Sequence, residues 1–167
     1  MKRVICTGLA VLDHVFYLQD IPKKPIKSFA SSYQIAGGGN AATAAVAISR
    51  AGGQAIFWGS LGDDLNGDKI LSELEEFGVD VKDVKRLNGI NSSVSSVLID
   101  NTGERLITNF TDHKLIKKAD WLPLASWKSP TRFSLTCVGR KGRLKLSVEP
   151  VNSEYPPFLT PIWRQQV

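Results

Sequence analysis

The sequence predicts an α/β domain, and three features carry that prediction. Short apolar runs of strand type, Val4 to Leu9 and Gln54 to Leu61, alternate with helical runs, Ala41 to Arg50 and about Asp68 to Phe77. Glycines punctuate the joins at Gly37-Gly38-Gly39, Gly52-Gly53 and Gly78, where a chain must turn tightly or end a helix. Of the 167 residues 43% are hydrophobic, which suffices for one core of ordinary size.

The elements follow in order. Val4 to Leu9 reads as a buried strand, with Asp13 at its C-terminal end, where open α/β sheets place ligand-contacting groups. Val15 to Ile35 holds Pro22, Pro25, the pair Lys23-Lys24, and then Lys27-Ser28-Phe29-Ala30, and reads as short edge strands forming a flap. The alanine-rich run from Ala41 to Arg50 is the clearest helix, because alanine loses no side-chain entropy there. Gln54 to Leu61 is a second strand, and Gly62 to Gly67 is a turn into an amphipathic helix that stops at Gly78. Ser92 to Asp100 and Arg105 to Phe110 flank Asn101-Thr102-Gly103 and read as a hairpin.

Charge and proline separate the chain into two parts. Residues 1–127 carry 14 Lys/Arg and 14 Asp/Glu, so the net charge of +5 comes entirely from residues 128–167, with seven basic and two acidic side chains. Five of the eight prolines fall in that same segment. A boundary is expected near Trp127, followed by a divergent basic tail. The tail reads as a poorly packed extension; its alternative is a nucleic-acid patch built on Arg132, Arg140, Lys141, Arg143 and Lys145 with Phe133. Nothing in residues 1–127 supports nucleic-acid binding, so no nucleic-acid partner is expected. The polar N-terminal run through Asp13 and His14 fits neither an export signal nor a membrane span, and Cys6 and Cys137 are a single pair far apart in sequence with no Cys-x-x-Cys and no metal-like spacing, which fits a reducing compartment. A cytoplasmic protein without a membrane partner is the expectation.

The chemistry gathers at Gly37-Gly38-Gly39-Asn40. Glycines ahead of a helix let a ligand approach the backbone, and the N-terminal amides and helix dipole favour an oxygen-rich guest. Three glycines alone would equally serve close helix–sheet packing, and Asn40 adds a side-chain amide that favours a ligand. At Gly62-Asp63-Asp64, helix capping by Asp64 or Asn66 explains the pattern without a ligand.

Gly37-Gly38-Gly39-Asn40-Ala41-Ala42-Thr43-Ala44, with Gly59-Ser60-Leu61-Gly62-Asp63-Asp64-Leu65-Asn66-Gly67 some twenty residues on, resembles the N-terminal signature of ribokinase-like (PfkB family) carbohydrate kinases. The resemblance covers about residues 3–125. It implies the N-terminal half of a ribokinase-like three-layer sandwich in residues 1–127, with a small β lid from about 12–36 and 92–110. It implies that Asp13, Gly38, Gly39 and Asn40 hold sugar hydroxyls. ATP and Mg²⁺ are the intact family's partners, and a homodimer through the lid is implied as well. Lys27-Ser28-Phe29-Ala30 and Gly103 to Phe110 look most like the sulfofructose kinase branch. On that reading Lys27 and Asn109 grip a sulfonate; the alternative for Lys27 is an exposed lysine that discourages edge pairing. The Gly-x-Gly-Asp turn that supplies the family's catalytic base does not occur in the sequence. No catalytic residue is therefore assigned, ATP and Mg²⁺ binding by this chain is not expected, and the chain is expected to be a truncated, frameshifted or mis-spliced kinase, inactive alone. The rival expectation is a non-catalytic module that binds sugar or pairs with a kinase.

Overall fold

The computed structural model describes residues 3–115, 122 and 132–135. Three sheets, two α-helices and a short 3-10 helix at His113–Leu115 make up this part of the chain. β1 (Arg3–Thr7) lies between β4 (Gln54–Trp58) and β9 (Arg132–Leu135), with both pairings parallel. Asp80 extends the far side of β4 through a parallel bridge to Ile56. Side chains alternate across this sheet because the strand period is two. Cys6, Ala55 and Phe57 face the helices α1 (Asn40–Arg50) and α2 (Leu65–Glu76) in one cluster with Ala41, Ala45, Ile70 and Leu74. Ile5, Ile56 and Trp58 face the other way and pack with Leu122. Burying an aromatic or aliphatic side chain of this size stabilises by about 1.5–3 kcal/mol, so both faces of the sheet contribute to holding it. The architecture is a partial α/β domain, as the sequence predicts.

The lid is a second, four-stranded sheet in the order β3 (Ser32–Gly38), β2 (Val11–Tyr17), β7 (Val94–Ile99), β8 (Arg105–Phe110). The predicted hairpin is β7–β8, closed by a turn in which the Asp100 carboxylate accepts from the Thr102 hydroxyl and from the Thr102 and Glu104 amides. The predicted flap is β2–β3, longer than short edge strands, with each strand seven residues long. β2 joins the two hairpins by pairing in parallel with β7.

Three boundaries differ from the sequence reading. The first strand stops at Thr7, and the chain leaves the sheet after Gly8, whose N–H donates to Trp58 O at 3.1 Å. Asp13 is therefore not at the tip of that strand but within β2. The Gln54 to Leu61 run is two strands, because β5 (Ser60–Gly62) leaves the main sheet to pair with β6 (Lys85–Leu87), too short and polar to register as a strand in sequence. α2 begins at Leu65 rather than Asp68, since Asp64 caps it by accepting from Gly67 N at 2.8 Å. β9 falls inside the segment that the charge shift assigns to the tail; its backbone continues the sheet, and the rest of 128–167 lies outside the described residues.

Candidate sugar-binding site

The cross-strand register decides which side chains meet. Asp13 stands opposite Ala36 on one side and Ser95 on the other, and Ser95 stands opposite Asn109. Directly opposed residues share a face, so Ala36, Asp13, Ser95 and Asn109 form one row across the lid sheet. Asn109 Nδ2 donates to Ser95 Oγ at 3.0 Å and to Val94 O at 3.3 Å, and Asn109 Oδ1 accepts from the Thr111 hydroxyl at 2.9 Å. Its amide is thus held in place. Ser95 is buried, Ala36 and Asp13 are half-buried and Asn109 is exposed, so burial along the row is deepest at Ser95. Ser95 was not among the expected site residues, and only the β2–β7 register reveals it.

The Asp13 carboxylate has no hydrogen-bond or ion-pair partner among the described residues. It lies against Gly38: a Cβ there would overlap Asp13 Oδ2 and come within 3.0 Å of its Cγ. Gly38 ends β3, and Gly39 follows as the N-cap of α1 with φ 88° and no side-chain cap. A Cβ on Gly39 would stand 2.5 Å from Leu9 O and 2.8 Å from Ala10 Cα, so glycine is required twice over, for conformation and for space. Asn40 is the first helical residue and is exposed. The turn therefore brings a carboxylate acceptor, the amide-rich start of a helix and an exposed carboxamide to one place, a donor–acceptor mixture suited to vicinal hydroxyls. Four of the six expected site residues, Asp13, Gly38, Gly39 and Asn40, converge there.

The other two stand further out. Asn109 joins the Asp13 row through Ser95, while Lys27 lies exposed in the β2–β3 connection with its ammonium 5.2 Å from the Phe29 ring centroid. Asp64 does what the capping reading expects and more: its carboxylate also accepts from Ser92 N at 2.8 Å and Ser92 Oγ at 2.6 Å. Burial pushes the Asp64 carboxyl up, but the Ser92 and Gly67 hydrogen bonds with the Arg86 charge outweigh it and hold the group below its usual range. Arg86 also pairs with Asp63 at 3.3 Å and Asp68 at 2.7 Å. Among the described residues no three His, Cys, Asp or Glu side chains are grouped so as to hold a metal ion. No helix among them is long and apolar enough to cross a membrane.

The chain is similar to known carbohydrate kinases. The chain is 26% identical over 161 residues to an ATP-dependent ribose-1-phosphate kinase of Halopiger xanaduensis, covering 90% of this chain and 54% of the relative. It is 33% identical over 113 residues to a ribokinase of Schizosaccharomyces pombe, covering 64% of this chain and 36% of that enzyme. The chain thus spans about half or less of these relatives. Among solved structures, a ribokinase-like protein of Agrobacterium tumefaciens superimposes with a TM-score of 0.67 at 43% identity, covering 70% of this chain and 38% of that one. A fructokinase of Xylella fastidiosa solved with bound ATP gives 0.64 at 26% identity, covering 80% of this chain and 41% of that one. The model of the pfkB family carbohydrate kinases matches residues 1–140, through the glycine turn, the whole lid and β9, and the chain belongs to that family.

Proposed function

We propose that this chain is the sugar-recognition part of an ATP-dependent kinase that phosphorylates a sugar hydroxyl. The observation that carries the reading is the unpartnered, half-buried Asp13 carboxylate placed over Gly38 at the start of α1. Asp13 accepts from two neighbouring hydroxyls, and the Gly39–Asn40 amides and the Asn40 carboxamide donate to their oxygens. The lid sheet bearing the Ser95–Asn109 row closes over the sugar and excludes water from the reacting hydroxyl. Phosphoryl transfer needs a base and nucleotide-binding groups that we assign to no described residue, so this chain alone binds sugar without turning over ATP.

The finer reading is a sulfonated ketose. Lys27 supplies a compact cation and Asn109 an amide for a tetrahedral anion at the far end of the sugar. Because both Asn109 N–H groups are occupied by Ser95 and Val94, sulfonate binding on this reading exchanges one of those bonds for the anion. The exposed apolar part of the lid face opposite Asp13 supports pairing with a second copy. Tyr33, Ile35, Leu106 and Phe110 are 50, 43, 50 and 51% exposed, and the register places all four on the face opposite Asp13.

Isothermal titration of the chain with D-fructose, D-ribose and sulfofructose tests the reading. Saturable binding that Asp13→Ala abolishes, with the far-UV spectrum unchanged, is the expected result. A folded wild-type chain that gives flat titrations with all three sugars sinks it. Lys27→Met weakens sulfofructose alone if the finer reading holds, and an equal effect on fructose rejects it. ADP release with ATP, Mg²⁺ and sugar above an Asp13→Ala control overturns the inactivity of the isolated chain.

A further inference from the structure

The sugar reading leaves unexplained how the Gly37–Gly39 turn, with no side chains of its own, keeps its place against Asp13. β3 is an edge strand, so β2 satisfies its amides on one side only. At Gly37 the outward amide donates to Glu73 Oε1 at 2.9 Å. The whole carboxylate lies along the glycine, since a Cβ on Gly37 would stand 2.8 Å from Oε1, 3.0 Å from Cδ and 3.2 Å from Oε2. Glu73 comes from α2, a helix that is itself firmly seated. Its Ile70 and Leu74 are in the core with Leu12, the residue opposite Gly37 on β2. Its N-cap Asp64 holds Ser92, just before β7. One helix therefore grips the base of both lid hairpins, through Asp64 at its start and Glu73 near its end.

Glu73 also breaks a local rule. It sits in the last turn of α2 beside Glu75 and Glu76, with no basic residue in that turn, where the helix dipole disfavours negative charge. Of the three, Glu73 is the one whose carboxylate meets a backbone amide of β3 outside the helix.

We propose that Glu73 is a positioning residue for sugar recognition, a latch from α2 that holds Gly37 and so sets the Gly38–Gly39 turn against the Asp13 carboxylate. The inference rests on the sugar-binding reading for its functional half and on the Gly37 contact for its structural half. Glu73→Gln keeps an acceptor oxygen without the charge, and Glu73→Ala removes the acceptor.

The experiment measures amide exchange at Gly37 by NMR and D-fructose and D-ribose affinity by calorimetry, on the full chain. Glu73→Ala is expected to speed Gly37 exchange at least several-fold and to weaken sugar binding roughly 5- to 10-fold, the loss of about one hydrogen bond's net worth. Thermal stability should hold or rise, because a charge opposed to the dipole is gone, and Glu73→Gln should restore affinity to within about twofold. Unchanged exchange and affinity in Glu73→Ala overturn the proposal. So does an affinity loss equal in both variants that tracks a fall in melting temperature, which would mark Glu73 as structural only. If the wild-type chain binds neither sugar, the sugar reading of the site fails by itself; the latch then stands on faster Gly37 exchange in Glu73→Ala and falls if exchange is unchanged.

Discussion

Gly38 and Gly39 are adjacent and both small, yet the structure assigns their replacement by alanine different consequences. At Gly39 a Cβ meets backbone, Leu9 O at 2.5 Å and Ala10 Cα at 2.8 Å, and the residue already holds φ 88°. Backbone cannot swing aside, and a non-glycine residue in that region costs about 1–3 kcal/mol before any clash is counted, so Gly39→Ala should lose at least about 2 kcal/mol of stability. At Gly38 the Cβ meets only the end of the Asp13 side chain, which can rotate away for about 0.5–1.5 kcal/mol. Gly38→Ala should therefore leave the fold nearly intact while moving the carboxylate off the sugar. A charge-assisted hydrogen bond is worth about 1.5–3 kcal/mol, so affinity should fall roughly 10- to 100-fold. Urea unfolding gives the stability difference, and calorimetric titration with the sugar gives the affinity. Gly38→Ala unfolding as readily as Gly39→Ala, or a stable Gly38→Ala chain that binds sugar like the wild type, would refute the reasoning.

Three further outcomes are expected. Asp64→Ala removes the α2 cap and leaves the buried Ser92 hydroxyl short of a partner, a loss of about 2–4 kcal/mol in urea; its folded pKa lies below the unfolded value of about 3.9, so its contribution is complete above that pH and disappears as pH falls through the folded value, and Asp64→Asn should flatten the acid limb of the stability profile. Cys6 is fully buried and its thiol is pushed up to about 11 by that burial, so in a Cys137→Ser background it should resist a thiol reagent at pH 8 until urea is added; prompt reaction of the native chain would contradict this. If the lid's outer face seats a second copy, Leu106→Lys or Ile35→Lys should shift sedimentation toward monomer without changing sugar affinity, and an unchanged profile for both rejects that interface.

The elements that were legible in the sequence are those whose cause is local. α1 follows from a run of alanines between glycines, and the β7–β8 turn from Asn101-Thr102-Gly103. Gly37 to Asn40 is legible as a turn into a helix from its glycines, and becomes a site candidate only when Asn40 and the family resemblance are added. The lid's composition from two distant segments came from the family resemblance, and the structure supplies the reason: β2 pairs with β7 across the chain. Where the sequence misled, the cause was a break in a continuous apolar run. Gln54 to Leu61 looks like one strand, but at Gly59 a Cβ would stand 2.7 Å from Gly8 O, and the chain turns there into a separate sheet. β9 was invisible for a different reason: four residues in a basic, proline-containing segment gain strand character from β1, not from themselves.

What no local pattern could supply is register, and the site depends on it. Asp13, Ser95 and Asn109 share a face only because β2 and β7 pair with Asp13 opposite Ser95; a slip of one residue would bring Ser96 to that position and turn Ser95 and Asn109 away. A parallel pair between distant segments has no tight turn to fix this alignment. It is fixed instead by what holds the ends: Leu12 N donates to Ser93 O, and Asp64 holds Ser92 just before β7, while Glu73 holds Gly37 opposite Leu12. All of these contacts lie at the base of the lid, within a few residues of Asp13. On the proposed sugar-binding reading, helix α2 bears on recognition although none of its side chains belongs to the Asp13 row. Substitutions that loosen its two grips should weaken binding through the alignment of β2 before they unfold the domain.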